Sequence, residues 1–256
     1  MIKYGLKIWT TNKDSFREVF ELFKKGMIDF VELYIVPDSF LPKELEVFKK
    51  IPTIIHSMHE EHNFNIFKLQ DSQIELFENQ VVKTADFLKS RLIILHGGVG
   101  ESGEIFKKNI AKIYDKRISI ENMPKIAIYG KTCFGYSLEQ LKFIKEECGF
   151  NICLDFGHAI KSAVSRKLDY KNYIKSLIYH LKSSYFHLSG GEKNNEKDEH
   201  LNLFEGDFDA VWIKKTLENL AKNQSIHLIF ETPKSKNNLE NDIKNIDYFK
   251  NLNTSR

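Results

Sequence analysis

At 256 residues and 30.0 kDa, with 42% hydrophobic and 29% charged residues, the chain has the make-up of one large globular domain. No run approaches the ~20 consecutive apolar residues of a membrane span, and MIKYGLKIW has no apolar segment behind a basic start, so neither a membrane helix nor a signal peptide is expected. The formal charge of +3 admits a phosphate-bearing substrate without demanding nucleic acid, and only Arg17, Arg91, Arg117, Arg166 and Arg256 offer the bidentate phosphate clamp that lysine lacks.

Short β-rich runs alternate with amphipathic stretches eight times. Tyr4–Thr10 reads as the first strand, followed by a helix over Ser15–Lys25 with Phe16, Val19, Phe20 and Phe23 at helical spacing and Gly26 as its stop. Phe30–Val36 is the second strand, Pro42–Lys50 a short helix opened by proline, and Thr53–Ser57 the third strand. A polar loop over Met58–Leu69 leads to a long helix at Ser72–Lys89, and Arg91–His96 is the fourth strand. After a helix reaching Tyr114 comes the fifth strand, Arg117–Glu121; Ile126–Tyr136 is irregular and Leu138–Glu147 helical. Asn151–Asp155 is the sixth strand, with a tight turn expected to present His158 one step beyond it. Tyr170–Lys182, Tyr185–Leu188, Ala210–Lys222, Ile226–Glu231 and Leu239–Leu252 then complete the helix–strand alternation, with a long charged loop at Gly190–Gly206. Strands of this length separated by helices predict parallel crossover units. Eight of them fit an α/β closed (β/α)8 barrel, a single domain over residues 1–256, better than an open doubly wound sheet. Glycine-rich GxGxxG after the first strand is missing, which argues against a dinucleotide fold. The odd cysteine count (Cys133, Cys148, Cys153), without metal-ligand spacing, fits reduced thiols of a cytoplasmic protein.

Chemistry gathers at the strand ends. The third strand ends in His56 and the fourth in His96, which Gly97 and Gly98 follow. Glu121 ends the fifth strand and Asp155 the sixth, with His158 just beyond; His187 lies on the seventh, Asp198 and His200 in its loop, and Glu231 ends the eighth. Each alone has a bland account: a hydrogen-bonded strand-end histidine, a helix-capping Asp155, a rim carboxylate paired with lysine, a solvated loop. Together, five histidines and four carboxylates would meet at the face where barrel active sites are built. Acids that close repel unless protons or metal ions compensate them. The donor set suits zinc, and manganese or iron less well; its size exceeds one tetrahedral ion and implies two or three.

In that order, His56, His96-Gly97-Gly98, Ile120-Glu121-Asn122, Leu154–His158, Phe186–Ser189, Asp198–His200 and Phe230–Pro233 resemble the endonuclease IV type of AP endonucleases, within the xylose isomerase-like TIM barrels. The resemblance covers strands three to eight and implies a trinuclear zinc hydrolase of DNA repair, with manganese or magnesium as the other candidate ions. His56, His96 and Glu121 would hold the first ion, and Glu121 would bridge to a second completed by Asp155, His187 and Glu231. His158, Asp198 and His200 would hold the third. Glu231, Glu121 and Asp155 would be the catalytic carboxylates, the substrate a phosphoester such as abasic-site DNA, and the protein a monomer away from membranes. The chain departs from that pattern in its first strand (GLKIWTTNKD), in the short spacing from His96 to Glu121, and in His59 standing where the DNA-cutting members carry an aromatic residue. Trp9, Phe64 and Phe67 are substitute stacking groups by type, although core or rim packing is their ordinary role. His59 and His62 are expected near the mouth, whereas His180 and His227 read as surface or core residues.

Two further readings belong to other classes. A single-ion sugar isomerase or epimerase would use Glu121, Asp155, His187 and Glu231 for one Mn or Mg ion, with His158 on the sugar. Glu32, in the second strand, resembles those relatives more than the nucleases. A non-catalytic scaffold barrel would leave all nine positions without a task.

Overall fold

In the computed structural model, residues 1–127, 130–234 and 238–254 are described. Arg256 and part of the irregular 126–136 stretch lie outside them. Eight parallel strands close into a barrel in sequential order: β1 (Ile2–Trp9), β2 (Phe30–Tyr34), β3 (Thr53–His56), β4 (Ile93–His96), β5 (Ile118–Glu121), β6 (Asn151–Asp155), β7 (Tyr185–Leu188) and β8 (Ile226–Phe230). The seam is sealed by β1 against β8, Leu6 facing Phe230 in register.

Helices α1 (Phe16–Lys24), α2 (Asp71–Leu76), α3 (Lys83–Phe87), α4 (Gly103–Ile110), α5 (Leu138–Lys142), α6 (Phe156–Ser165), α7 (Tyr170–Leu181), α8 (Ala210–Ala221) and α9 (Glu240–Asn251) wrap the outside. The long helix expected at Ser72–Lys89 is α2 and α3 joined through a π-helical stretch at Phe77–Val82. Pro42–Lys50 winds as a 3-10 helix rather than an α-helix. The starts of α4 to α8 are set by short polar side chains that satisfy the first free N–H groups. Asp169 accepts from Asn172 N at 2.8 Å and Asp209 from Trp212 N at 3.0 Å. None of the described helices is long and apolar enough to cross a membrane.

Alternation along the strands sorts residues into two cores. Outward residues such as Leu6, Val31, Ile55, Ile120, Leu154 and Leu228 join the helix faces in the larger core. A second, separate cluster of Phe30, Ile94, Cys153, Tyr185 and Ile229 plugs the barrel interior, with Ile54 and Leu92 packed on it. Two residues farther along their strands stand Glu32, His96, Asp155, His187 and Glu231, with His56 above Ile54. The barrel thus has an apolar floor and, over it, a polar layer at the carboxyl ends of the strands. Gly5 keeps that floor closed: a Cβ there would lie 2.5 Å from the Phe30 ring.

Candidate metal centre

Each strand end delivers its side chain to the polar layer, and Glu121 stands at its middle. It is fully buried, with Oε2 3.2 Å from His56 Nε2 and 3.5 Å from His96 Nε2. Its Oε1 lies 3.2 Å from both His158 Nδ1 and His187 Nδ1. His187 reaches Glu231 Oε1 through Nδ1 at 2.7 Å. Asp198 Oδ2 lies 3.2 Å from His158 Nε2 and 2.7 Å from His200 Nε2. All nine residues singled out from the sequence therefore fall in one contiguous cluster, Asp155 joining it through its bond to His158.

The histidines are aimed. His56 Nδ1 donates to Ser57 O at 2.8 Å, His158 Nδ1 to Asn122 O at 2.8 Å and His200 Nδ1 to Glu231 O at 3.0 Å. His187 is fixed from its other side, Nε2 meeting Glu32 Oε2 at 2.8 Å. In each ring one nitrogen is tied to an oxygen of the scaffold and the other faces the cluster, the arrangement by which proteins fix ligand tautomer and direction at metal sites. Buried oxygens without hydrogen-bond partners among the described residues point the same way: Glu121 Oε1 and Asp155 Oδ2. Orphaned carboxylate oxygens are costly to bury and are satisfied by cations. Three or more ligand atoms lie within 4.8 Å of one another in the groups His56/His96/Glu121, Glu32/His56/His187/Glu231 and His158/Asp198/His200. The donor set fits divalent metal, with imidazole and carboxylate mixed as zinc and manganese prefer.

Charge balance sets the protonation. Burial would raise the Glu121 carboxyl, but His187 and His96 outweigh it and hold its pKa well below the usual range. Glu231 is depressed likewise by Lys7 and His187 against its burial. Asp155 goes the other way, since burial raises it and the charges of Glu121 and Glu231 add to that. His158 and His187 are raised well above ordinary histidine against the desolvation of burial, His158 by Asp155 and Asp198 and His187 by Cys153 and then Glu32, Glu231 and Glu121. His56, whose largest influences are burial and then Lys7, is lowered.

Asp155 and His158 differ from expectation in local structure. There is no tight turn between them: Asp155 is the N-cap of α6, its Oδ1 accepting from His158 N at 2.6 Å, and the helix begins at Phe156. The capping account of Asp155 and the site account are compatible, because one oxygen caps while the other is buried and unpaired among the described residues. Asn122 locks this junction, exchanging bonds with Asp155 N at 2.6 Å and Asp155 O at 3.0 Å.

Asp198 and His200 sit in a loop held by the body of the protein rather than a solvated one. Lys161 of α6, 1% exposed, donates to Glu199 Oε2 and Glu192 O at 2.8 Å each, and Gly190 pairs with Leu201 through two backbone bonds. After β4, Gly97 lets the chain pass the Phe134 carbonyl; a Cβ there would lie 2.1 Å from that oxygen.

Sequence reasoning passed over Lys7. Its Nζ lies 2.5 Å from Glu231 Oε1 and 3.4 Å from Glu32 Oε1. Burial would lower its pKa, yet Glu231, Glu32 and Glu121 raise it above the ordinary lysine value. Alternation from Gly5 through Lys7 to Trp9 was the signal available for it, a lysine on the inward parity of a barrel strand. Tyr185 completes the support, its hydroxyl donating to Glu32 Oε2 at 2.7 Å. Of the stacking candidates, Phe64 packs on Phe77 and Phe67 on Phe134 in the core, whereas Trp9 is 37% exposed. His59 stacks on His96 with centroids 4.8 Å apart, and His62 Nδ1 meets Tyr34 Oη at 2.9 Å.

A closed eight-stranded parallel barrel carrying a histidine–carboxylate cluster at the carboxyl ends of its strands defines a class of metal-site barrels. Residues 54–252 match the xylose isomerase-like TIM barrel family, and the chain belongs to it. An uncharacterized protein of Methanocaldococcus jannaschii is 27% identical over 248 residues, covering 86% of this chain and 88% of that protein. Endonuclease IV from Thermus thermophilus superposes with a TM-score of 0.71 at 18% identity over 97% of each chain. A putative xylose isomerase from Rhodospirillum rubrum gives 0.70 at 12% identity over 98% of each. The 3-keto-D-glucoside 4-epimerase of E. coli gives 0.66 at 10%, covering 98% of this chain and 100% of the other. These likenesses define the fold, within which hydrolase and isomerase chemistries both occur.

Proposed function

We propose that the chain is a metal-dependent phosphodiester hydrolase of endonuclease IV type, working with zinc, and that abasic-site DNA is the first substrate to assay. The observation that carries this reading is Asp198 Oδ2 set between His158 Nε2 at 3.2 Å and His200 Nε2 at 2.7 Å. That is a donor group beside those around Glu121 and Glu231, and single-ion isomerase chemistry has no use for it. His56, His96 and Glu121 would hold one ion, Asp155, His187 and Glu231 with bridging Glu121 a second, and His158, Asp198 and His200 a third. Ions bound there supply Lewis-acid polarisation of the phosphoryl group and acidify water toward neutral pH. In this reading Glu231, gripped at Oε1 by Lys7 and His187, orients the attacking water and takes its proton. Trp9, at the mouth, is the exposed aromatic face available to a nucleobase. Every proposed ligand comes from one chain, which suits a monomer, and three free cysteines suit the reducing cytoplasm.

A second reading is favoured by Glu32 and Lys7. The group Glu32/His56/His187/Glu231 is a compact single-ion set, and a lysine beside it suits proton transfer on a ketose. Metal content per chain separates the two. Protein purified without tag or chelator should carry close to three ions, mainly zinc, and His200→Ala should lose one of them. A single Mn, Mg or Co ion that survives His200→Ala would overturn the hydrolase reading in favour of the isomerase. Glu231→Gln should abolish turnover of the confirmed substrate by at least about 10²-fold while far-UV circular dichroism is unchanged; retained turnover removes Glu231 from the mechanism.

A further inference from the structure

The opposite end of the barrel, below the apolar floor, holds a cavity of about 740 Å³ whose lining contains Lys3, Lys89, Arg91 and Lys182 and no carboxylate. These four cations come from separate parts of the chain: the start of β1, the link from α3 to β4, and the link from α7 to β7. None of them forms an ion pair among the described residues. The positive field is felt by their neighbours. Beyond the effect of burial, Lys3 pushes the His227 imidazole down and Lys182 pushes the Lys145 ammonium down. Asp29, whose charge also reaches His227, accepts from Tyr4 N at 2.8 Å and does not line the cavity.

Two further features make this a recess with a built interior. Phe30, Tyr185 and His227 line it as an aromatic trio, with Tyr185 and His227 stacked 6.0 Å apart and Phe30 set edge-on to His227 at 5.2 Å. Ser183, also in the lining, is 6% exposed, and its hydroxyl has no hydrogen-bond partner among the described residues. A buried hydroxyl left unpaired is rare and asks for an acceptor. Cations around the rim of a recess whose lining holds no carboxylate focus the field on any anion that enters. The volume lies within the range of small-molecule sites, roughly 300–1,000 Å³.

We propose that this lower cavity binds a small phosphomonoester, its phosphate held by Arg91, Lys182 and their lysine neighbours and its carbon framework lying against the aromatic trio. The site is separated from the metal centre by the apolar floor and is independent of the reaction proposed there. Amide shifts of the isotope-labelled full chain, titrated in turn with inorganic phosphate, AMP and adenosine, test it. AMP and phosphate should move the amides of Arg91, Leu92, Asn151 and Lys182 to Tyr185, and adenosine should leave them still. Arg91→Ala and Lys182→Ala, both at exposed side chains, should each weaken AMP binding there about three- to tenfold, and the double variant should abolish it with the remaining spectrum unchanged. Shifts confined to residues around Glu121, His187 and Glu231 would place the anion at the metal centre only and overturn the proposal. So would adenosine binding as well as AMP, or affinity that survives in the double variant.

Discussion

His187 is clamped between two carboxylates, with Nε2 on Glu32 at 2.8 Å and Nδ1 on Glu231 at 2.7 Å. Lys7 closes the circuit by holding Glu231 and Glu32 together. Five carboxylates (Glu32, Glu121, Asp155, Asp198 and Glu231) share this layer, and one ammonium among them offsets part of their mutual repulsion before any ion binds. Lys7→Met keeps an unbranched side chain out to the Cε position and removes the ammonium. Breaking a buried pair from one side leaves its partner uncompensated, so the chelator-treated variant should lose about 3–5 kcal/mol of unfolding free energy. Urea titration checks this, and a loss below about 1 kcal/mol would show that His187 alone satisfies Glu231.

The elements explain how loosely patterned stretches come to hold rigid donors. The start of α6 resembles a turn in sequence because Gly157 and His158, poor helix formers, stand at its second and third positions. Tertiary contacts override that preference, burying Phe156 through Ala163 without a break. The same helix carries Lys161, which pins the Asp198–His200 loop through Glu199 and Glu192, so helix and loop are positioned together. At the other pole, Arg117 grips Asp115 with Nε at 3.0 Å and Nη2 at 2.6 Å, and reaches Asp86 of α3 with Nη1 at 2.7 Å. Arg117's hydrogen bonds hold the Asp115 carboxyl below its usual range. A carboxyl depressed in the folded state stabilises above its unfolded pKa, and that contribution fades as pH falls through the folded value. Asp115→Asn should therefore cost up to about 1 kcal/mol at neutral pH, with wild type and variant converging in acid as the folded Asp115 carboxyl takes up its proton. Thermal melts across pH 2–7 measure the two curves, and parallel curves would remove Asp115 from the acid limb.

Across the molecule, the interior is layered: basic cavity below, apolar floor of Phe30, Ile94, Cys153, Tyr185 and Ile229, polar cluster above. The larger apolar core lies outside the strands, against the helices, and owes nothing to the polar layer. Chelation should thus lower the melting temperature by several degrees through loss of ligand linkage while leaving far-UV circular dichroism intact. Unfolding on chelation would mean that the polar layer holds the barrel together.

The eightfold alternation, the strand positions and the residues at the strand ends were readable because period-2 and period-3.6 burial is local and each strand end lies within a few residues of its apolar run. His56, His96, Glu121, Asp155, His187 and Glu231 could be named from that pattern alone. What each of them touches is a matter of barrel closure, which sets β1 beside β8 and so brings Lys7 to Glu231 across 224 residues of chain. The lower cavity has the same origin: Lys3, Arg91 and Lys182 become neighbours only when the strands are staggered round the axis. Local sequence records which residues face inward, whereas long-range pairing decides which inward residues share a charge.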